Sequence, residues 1–94
     1  MLILPAELTH AGANACLRML EQGLQAHANA EIWVDAGALS RFDSSALAVL
    51  LEFRRECQAL GKQVLIRNLP SRLADLAALY GVAELLSVPA VRPA

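Results

Sequence analysis

The sequence contains no long apolar run, although hydrophobic residues occupy 56% of its 94 positions. The longest uninterrupted apolar stretch covers only residues 46–51. A helix that crosses a bilayer needs about 20 apolar residues, so the sequence predicts no transmembrane helix and no direct insertion into a membrane. The amino terminus also lacks the basic region and long apolar stretch of a secretory signal, which makes the cytosol the expected location.

The sequence also has little net charge and few cysteines. The formal net charge is −1 and no basic stripe is visible, so we expect no binding to nucleic acid. Cys16 and Cys57 are too far apart for a close-spaced metal motif and occupy apolar helical positions, which predicts buried thiols rather than a disulfide or metal ligands. No glycine-rich phosphate loop is present, and we expect neither a cofactor nor a metal.

Residues that could form a catalytic unit are not grouped. His10 and His27 are far apart, and neither has a nearby cysteine or acidic partner, so we expect no catalytic residues and no enzyme activity. Asp35 and Asp43 could approach each other across a loop and hold a metal, as in receiver-like domains. The third acidic ligand and the lysine of such a site are not evident, so a metal- or nucleotide-sensing module is only a third alternative.

Short β-rich runs alternate with helical patterns along the chain. Strands are predicted at 2–4, 31–35, 64–66 and 85–88, a loop at 36–42, and helices at about 11–27, 44–60 and 71–80. Gly61 and Gly81 follow the last two helices, as carboxyl-terminal caps do. This order predicts a single α/β domain, residues 1–94, with three main helices and about four strands in a mainly parallel or mixed sheet. Residues 89–94 are predicted to form a frayed tail.

The run at 31–35 is apolar in its middle. Such a run is typical of a strand in a sheet that is covered on both faces. We therefore expect Trp33 to pack in the core or against the sheet rather than to bind a ligand.

The helix predicted at 44–60 has two different sides. A projection at 100° per residue places one apolar set on the core side: Ala46, Val49, Leu50, Phe53, Cys57 and Leu60. The opposite side carries, in order, Ser44, Ala48, Leu51, Glu52, Arg55 and Gln58, with Leu47 on the adjoining flank. A solvated helix would carry long polar side chains at the first of these positions. The pattern predicts a small, partly apolar docking patch, with chance exposure as the alternative.

Asp43-Ser44-Ser45 stands at the start of that helix, in the connection that follows the strand ending at Asp35. Partner and ligand sites in open α/β sheets lie beyond the carboxyl ends of the strands, as this segment does. Asp43 and Ser44 are favoured N-cap residues, and capping alone explains them. The functional alternative is that one serine caps the helix and the other is an exposed phosphate acceptor. A phosphate there would bind free helix amides and add about two negative charges to the docking patch.

Several segments together resemble the STAS domain family: Val34-Asp35, residues 42–51, Gly61-Lys62 and Val64-Leu65-Ile66. That family includes the anti-sigma-factor antagonists and the cytoplasmic domains of sulfate transporters, and the similarity extends from about residue 4 to residue 86. The leucine-rich run around Leu79-Tyr80-Gly81-Val82 is most similar to MlaB-type STAS subunits of Gram-negative phospholipid transporters.

The resemblance implies a role without chemistry. The chain would bind and support the cytosolic ATPase (MlaF-like) of an ABC-type phospholipid transporter that maintains outer-membrane lipid asymmetry. It would then lie in the cytoplasm, at the inner membrane through its partner. The family's phospho-acceptor corresponds to Ser44, the expected centre of the interface. The other expected partner-binding residues are Arg41, Asp43, Ser45, Leu47, Ala48, Leu51, Glu52 and Arg55. The alternative is an anti-sigma-factor antagonist regulated by phosphorylation of Ser44.

Two features depart from the family pattern. Sigma-pathway antagonists usually have glycine where Ala46 stands, which favours the transporter role. STAS domains also usually begin with another strand before the one at 2–4. Without that strand, we expect one sheet edge to be exposed, or to be covered by a partner or a second copy.

Overall fold

A computed structural model describes residues 1–86 and has the strand and helix alternation that the sequence predicts. The strands are β1 (Leu2–Ile3), β2 (Glu7–Leu8), β3 (Glu31–Asp35), β4 (Arg41–Phe42) and β5 (Gln63–Arg67). The helices are α1 (Ala13–Ala26), α2 (Ser44–Ala59) and α3 (Ser71–Leu79), with 3₁₀ turns at His10–Gly12 and Ala83–Leu86. The predicted α/β class and the three main helices are confirmed.

The strands form two parallel sheets rather than one. β1, β3 and β5 form a three-stranded sheet in that order, and β2 pairs with β4 in a separate two-stranded sheet. The loop predicted at 36–42 is therefore wrong at its end, because its last two residues are β4. Two-residue strands carry no periodic pattern, so only their pairing defines them. Within residues 1–86, β1 pairs with β3 alone, and no strand pairs with its other edge.

The helices cover one face of the three-stranded sheet. Ile32 and Val34 of β3 are buried in the core, whereas Glu31 and Trp33 point to the opposite face. Trp33 keeps 37% of its surface exposed there. This alternation is that of a half-buried strand, so the prediction of a strand covered on both faces is wrong. The alternation of buried and exposed residues was not visible in the sequence, because tryptophan is classed as apolar whichever face it occupies.

α2 lies at the centre of the packing. Six of its residues are buried: Ala46, Leu47, Val49, Leu50, Phe53 and Cys57. The predicted core side is thus confirmed except for Leu60, which is 61% exposed. Leu60 is the carboxyl-terminal cap, one residue past the helix, and Gly61 follows it with a φ of +72°. At that φ the chain leaves the helix direction, so a helical projection no longer applies beyond Ala59.

α1 contributes its apolar side to the same core. Cys16, Leu20 and Leu24 are its buried residues. Cys16 and Cys57 are both free and buried, which confirms the prediction of buried thiols. Burial raises the pKa of both thiols, that of Cys57 to about 11, so both stay protonated and unreactive at neutral pH.

The carboxyl-terminal end of the described chain differs from the prediction. Residues Ala83–Leu86 form a 3₁₀ turn with Leu86 buried, so the strand predicted at 85–88 is wrong at its first two positions. The rest of that prediction and the predicted frayed tail at 89–94 lie outside the described residues. No helix within residues 1–86 is long and apolar enough to cross a membrane.

Candidate partner-binding site

Asp43 builds the start of α2. Its backbone is extended, and its Oδ1 accepts a hydrogen bond from the Ser45 N–H at 2.8 Å, which makes Asp43 the N-cap. Its Oδ2 accepts from the His10 N–H at 3.1 Å, so one carboxylate joins α2 to the 3₁₀ turn before α1. These bonds, first that from Ser45, hold the pKa of Asp43 below its usual range. The alternative in which a serine caps the helix is wrong.

The aspartate cap leaves Ser44 available at the first position of the helix. Ser44 is exposed, and its hydroxyl has no hydrogen-bond partner among the residues that the structure describes. Ser45 is half-buried one position further on. The free hydroxyl of Ser44 is therefore accessible to another molecule, beside the amides of a helix start.

The outer side of α2 next to Ser44 is uncharged. We define the docking patch as Ser44, Ala48 and Leu51: Ala48 is exposed, and Leu51 is half-buried against the core. Beyond the patch, the Arg55 Nε donates to Glu52 Oε1 at 3.1 Å, and a second hydrogen bond joins the same two side chains. The bond from Arg55 lowers the pKa of Glu52, and the pair carries no net charge.

Leu47 does not belong to the patch, contrary to the prediction. It is 2% exposed and lies in the core. The projection placed it on a flank because it assumed that the fold contacts one side of α2. In the structure α1, β5, α3 and both 3₁₀ turns contact this helix, so its buried side is wider than the projection assumed.

Arg41 borders the start of α2 from β4. Its Nε lies 3.3 Å from Glu7 Oε2, and both side chains are largely exposed. The next residue, Phe42, is half-buried and packs against the core. Arg41 thus stands near the predicted site, but its charge is already paired within the chain.

A comparison with models of known families identifies the family of this chain. A family model described as "Mlab, STAS domain" matches residues 1–87. The chain belongs to the STAS family, in its MlaB-like branch. A search of curated proteins finds no match. STAS domains act in protein–protein interaction and are generally non-enzymatic, so the exposed start of α2 belongs to a protein-binding fold.

The two aspartates of this STAS domain form separate structures. Asp35 Oδ1 accepts from the Gly37 N–H at 2.8 Å and from the Asn68 amide at 3.3 Å, and the Arg67 Nε lies 3.8 Å from Asp35 Oδ2. The Gly37 bond is the first cause that holds the pKa of Asp35 low. Asp43 instead binds the start of α2. Among residues 1–86 no group of three or more metal-ligating side chains occurs, so the structure offers no support for the metal-binding alternative.

One residue near the site was missed from the sequence. The guanidinium of Arg72, on α3, lies 5.8 Å from the centroid of the Phe42 ring. Phe42 directly precedes Asp43, the N-cap of α2. Leu79, also on α3, is 78% exposed. The seven-residue spacing from Arg72 to Leu79 is a helical repeat and was a usable signal that they share one side.

Proposed function

We propose that this STAS domain is a non-enzymatic subunit that binds and supports the cytosolic ATPase (MlaF-like) of an ABC-type phospholipid transporter. That transporter would maintain the lipid asymmetry of the outer membrane. The observation that carries the proposal is the exposed, uncharged docking patch at the start of α2. The family description supports the choice of partner. The subunit would lie in the cytoplasm and reach the inner membrane only through its partner.

The patch has the properties of a surface that another protein approaches closely. Ser44 and Ala48 are small and exposed, so a partner backbone can approach α2 without displacing long side chains. Leu51 adds apolar surface behind them, and the Glu52–Arg55 pair forms a polar border. An apolar centre with a polar rim is the usual anatomy of a protein interface. The Asp43 cap fixes the first turn, which lowers the entropy cost of binding.

Capture of the partner from native cells tests the proposal. Tagged wild type should retain an ABC ATPase, identified by mass spectrometry. Ser44→Asp should lose it, because a charge enters the uncharged docking patch. Gln22→Asp is the matched control, since it adds one negative charge at an exposed position of α1. If Ser44→Asp retains as much ATPase as Gln22→Asp does, the docking patch is not the interface.

The second candidate is an anti-sigma-factor antagonist regulated by phosphorylation of Ser44. It is favoured by the exposed hydroxyl of Ser44 beside the amides that begin α2, where a phosphate would be stabilised. In this case the capture would yield a serine kinase or a sigma-pathway protein in place of the ATPase. Intact mass would also increase by one phosphate in wild type but not in Ser44→Ala.

A further inference from the structure

We infer that the partner-binding surface continues from α2 onto α3, where Arg72 pairs with a carboxylate of the partner ATPase. The inference rests on the proposed function and specifies the chemistry of the partner's surface. It concerns a second helix, outside the segment that the sequence indicated.

Arg72 lies beside the start of α2. Its guanidinium is 5.8 Å from the ring centroid of Phe42, and Phe42 immediately precedes the Asp43 cap. Phe42 packs against the core, so its ring is held in place from below. An arginine that stacks on an aromatic ring is oriented by it, while the edges of the guanidinium plane stay free to donate hydrogen bonds. Arg72 itself is exposed.

The arginines around the docking patch differ in pairing. Arg41 is paired with Glu7, and Arg55 is paired with Glu52. No carboxylate within the described residues lies within ion-pair distance of Arg72. Arg54, on α2, also has no carboxylate partner, but it donates to Gln58 Oε1 of its own helix. Arg72 is held over an aromatic ring, and a carboxylate of a partner would complement its charge.

The neighbouring residues of α3 indicate that the complement belongs to a protein. Leu76 and Leu79 follow Arg72 at four and seven positions, so all three lie along one side of the helix. Leu76 is half-buried, and Leu79 is 78% exposed. α2 and α3 pack against each other, and Arg72 lies over Phe42 at the start of α2, so this side of α3 begins next to the docking patch. Arginine is among the residue types most enriched in interface hot spots.

Direct binding of the purified ATPase tests the inference. We expect Arg72→Gln to weaken binding about 10-fold and Arg72→Glu more than that, because the second variant repels a carboxylate. Arg72→Lys should retain more affinity than Arg72→Gln, since it keeps the charge. Arg18→Glu, an equal charge reversal at an exposed position of α1, should change the affinity less than about twofold.

Salt dependence separates a charge pair from a shape effect. Wild-type affinity should fall more steeply than that of Arg72→Gln as NaCl is raised. Equal affinity of wild type and Arg72→Glu, or equal salt dependence of wild type and Arg72→Gln, overturns the inference while the proposed function stands. If wild type itself binds no ATPase, the proposed function fails and this inference fails with it. Melting curves of all variants check that the fold is intact.

Discussion

The two sides of α2 differ in burial. On the inner side, Ala46, Leu50 and Phe53 are at most 1% exposed, in contact with the sheet and with α1. On the outer side, Ser44 and Ala48 are exposed although they occupy the same helix. The inner side determines stability. The outer side carries small or apolar residues at its start, and the exposed ones do not pack against the rest of the described fold. Substitutions on the two sides should therefore separate stability from partner binding.

The largest expected effect tests where the boundary between the two sides lies. Leu47→Ala should lower the free energy of unfolding by about 2–5 kcal/mol, because Leu47 is buried on all sides. Leu51→Ala should cost only about 1 kcal/mol, because part of that side chain already faces solvent. Urea unfolding of the two variants measures the difference. Equal losses would mean that the boundary is misplaced.

The helix cap is expected to have the next largest effect on stability. Asp43→Ala should lower the melting temperature by about 4–8 °C, because the Ser45 and His10 amides lose their acceptor. Asp43→Asn should lose less, since an amide oxygen still caps the helix.

The effect of Asp43 should also depend on pH. Its folded-state pKa lies below the usual value for aspartate, so the stabilisation is present above the unfolded-state pKa and is lost as pH falls through the folded-state pKa. The stability difference between wild type and Asp43→Asn should therefore shrink as pH is lowered from 5 to 2. A difference that stays constant over this range would show that the charge of Asp43 plays no part.

A charge on the outer side should affect binding more than stability. Leu51→Glu should abolish capture of the ATPase while lowering the melting temperature by about 4–8 °C, the size that a loss of about 1 kcal/mol at this half-buried position implies. Leu60→Glu is the matched control, because Leu60 is an exposed leucine at the other end of the same helix. A large loss of stability in Leu51→Glu would place Leu51 in the core. Loss of capture in both variants would mean that the effect is not specific to the patch.

The smallest expected effect concerns Glu56, a residue of α2 between its inner and outer sides. Glu56 is half-buried and faces Glu21 of α1; burial, then Glu21 and then Glu52, raise its pKa from 4.5 to about 7. Protonated Glu56 therefore stabilises the fold fully below pH 4.5, and this contribution is lost as pH rises through 7.

Glu56→Gln removes the charge and should raise the melting temperature at pH 8 relative to wild type. We expect a gain of about 1–3 °C, because the site is partly solvated. Below pH 4.5 the two proteins should melt alike. A gain of the same size at both pH values would contradict the raised pKa.

Periodic sequence patterns predicted the elements that are long enough for the pattern to recur. α2 was predicted to within one residue because sixteen positions carry one helical pattern and a glycine follows its cap. β3 was placed correctly, but its open face was not, because Ile32-Trp33-Val34 has no polar residue to mark it. β2 and β4 were missed because a two-residue strand is defined by its pairing partner rather than by its own sequence.

The sequence by itself determined the α/β order, the ends of α2 and α3 to within one residue, the buried cysteines and the exposure of Ser44, because each depends on neighbours within a few positions. The tertiary structure decided what depends on distant segments. Leu47 is buried because several elements surround α2, and the Asp43 carboxylate accepts the amide of His10, 33 residues away. Arg72 stacks on Phe42 because α3 packs beside the start of α2. A helical projection describes directions around one axis, and it contains no information about which directions the rest of the chain fills.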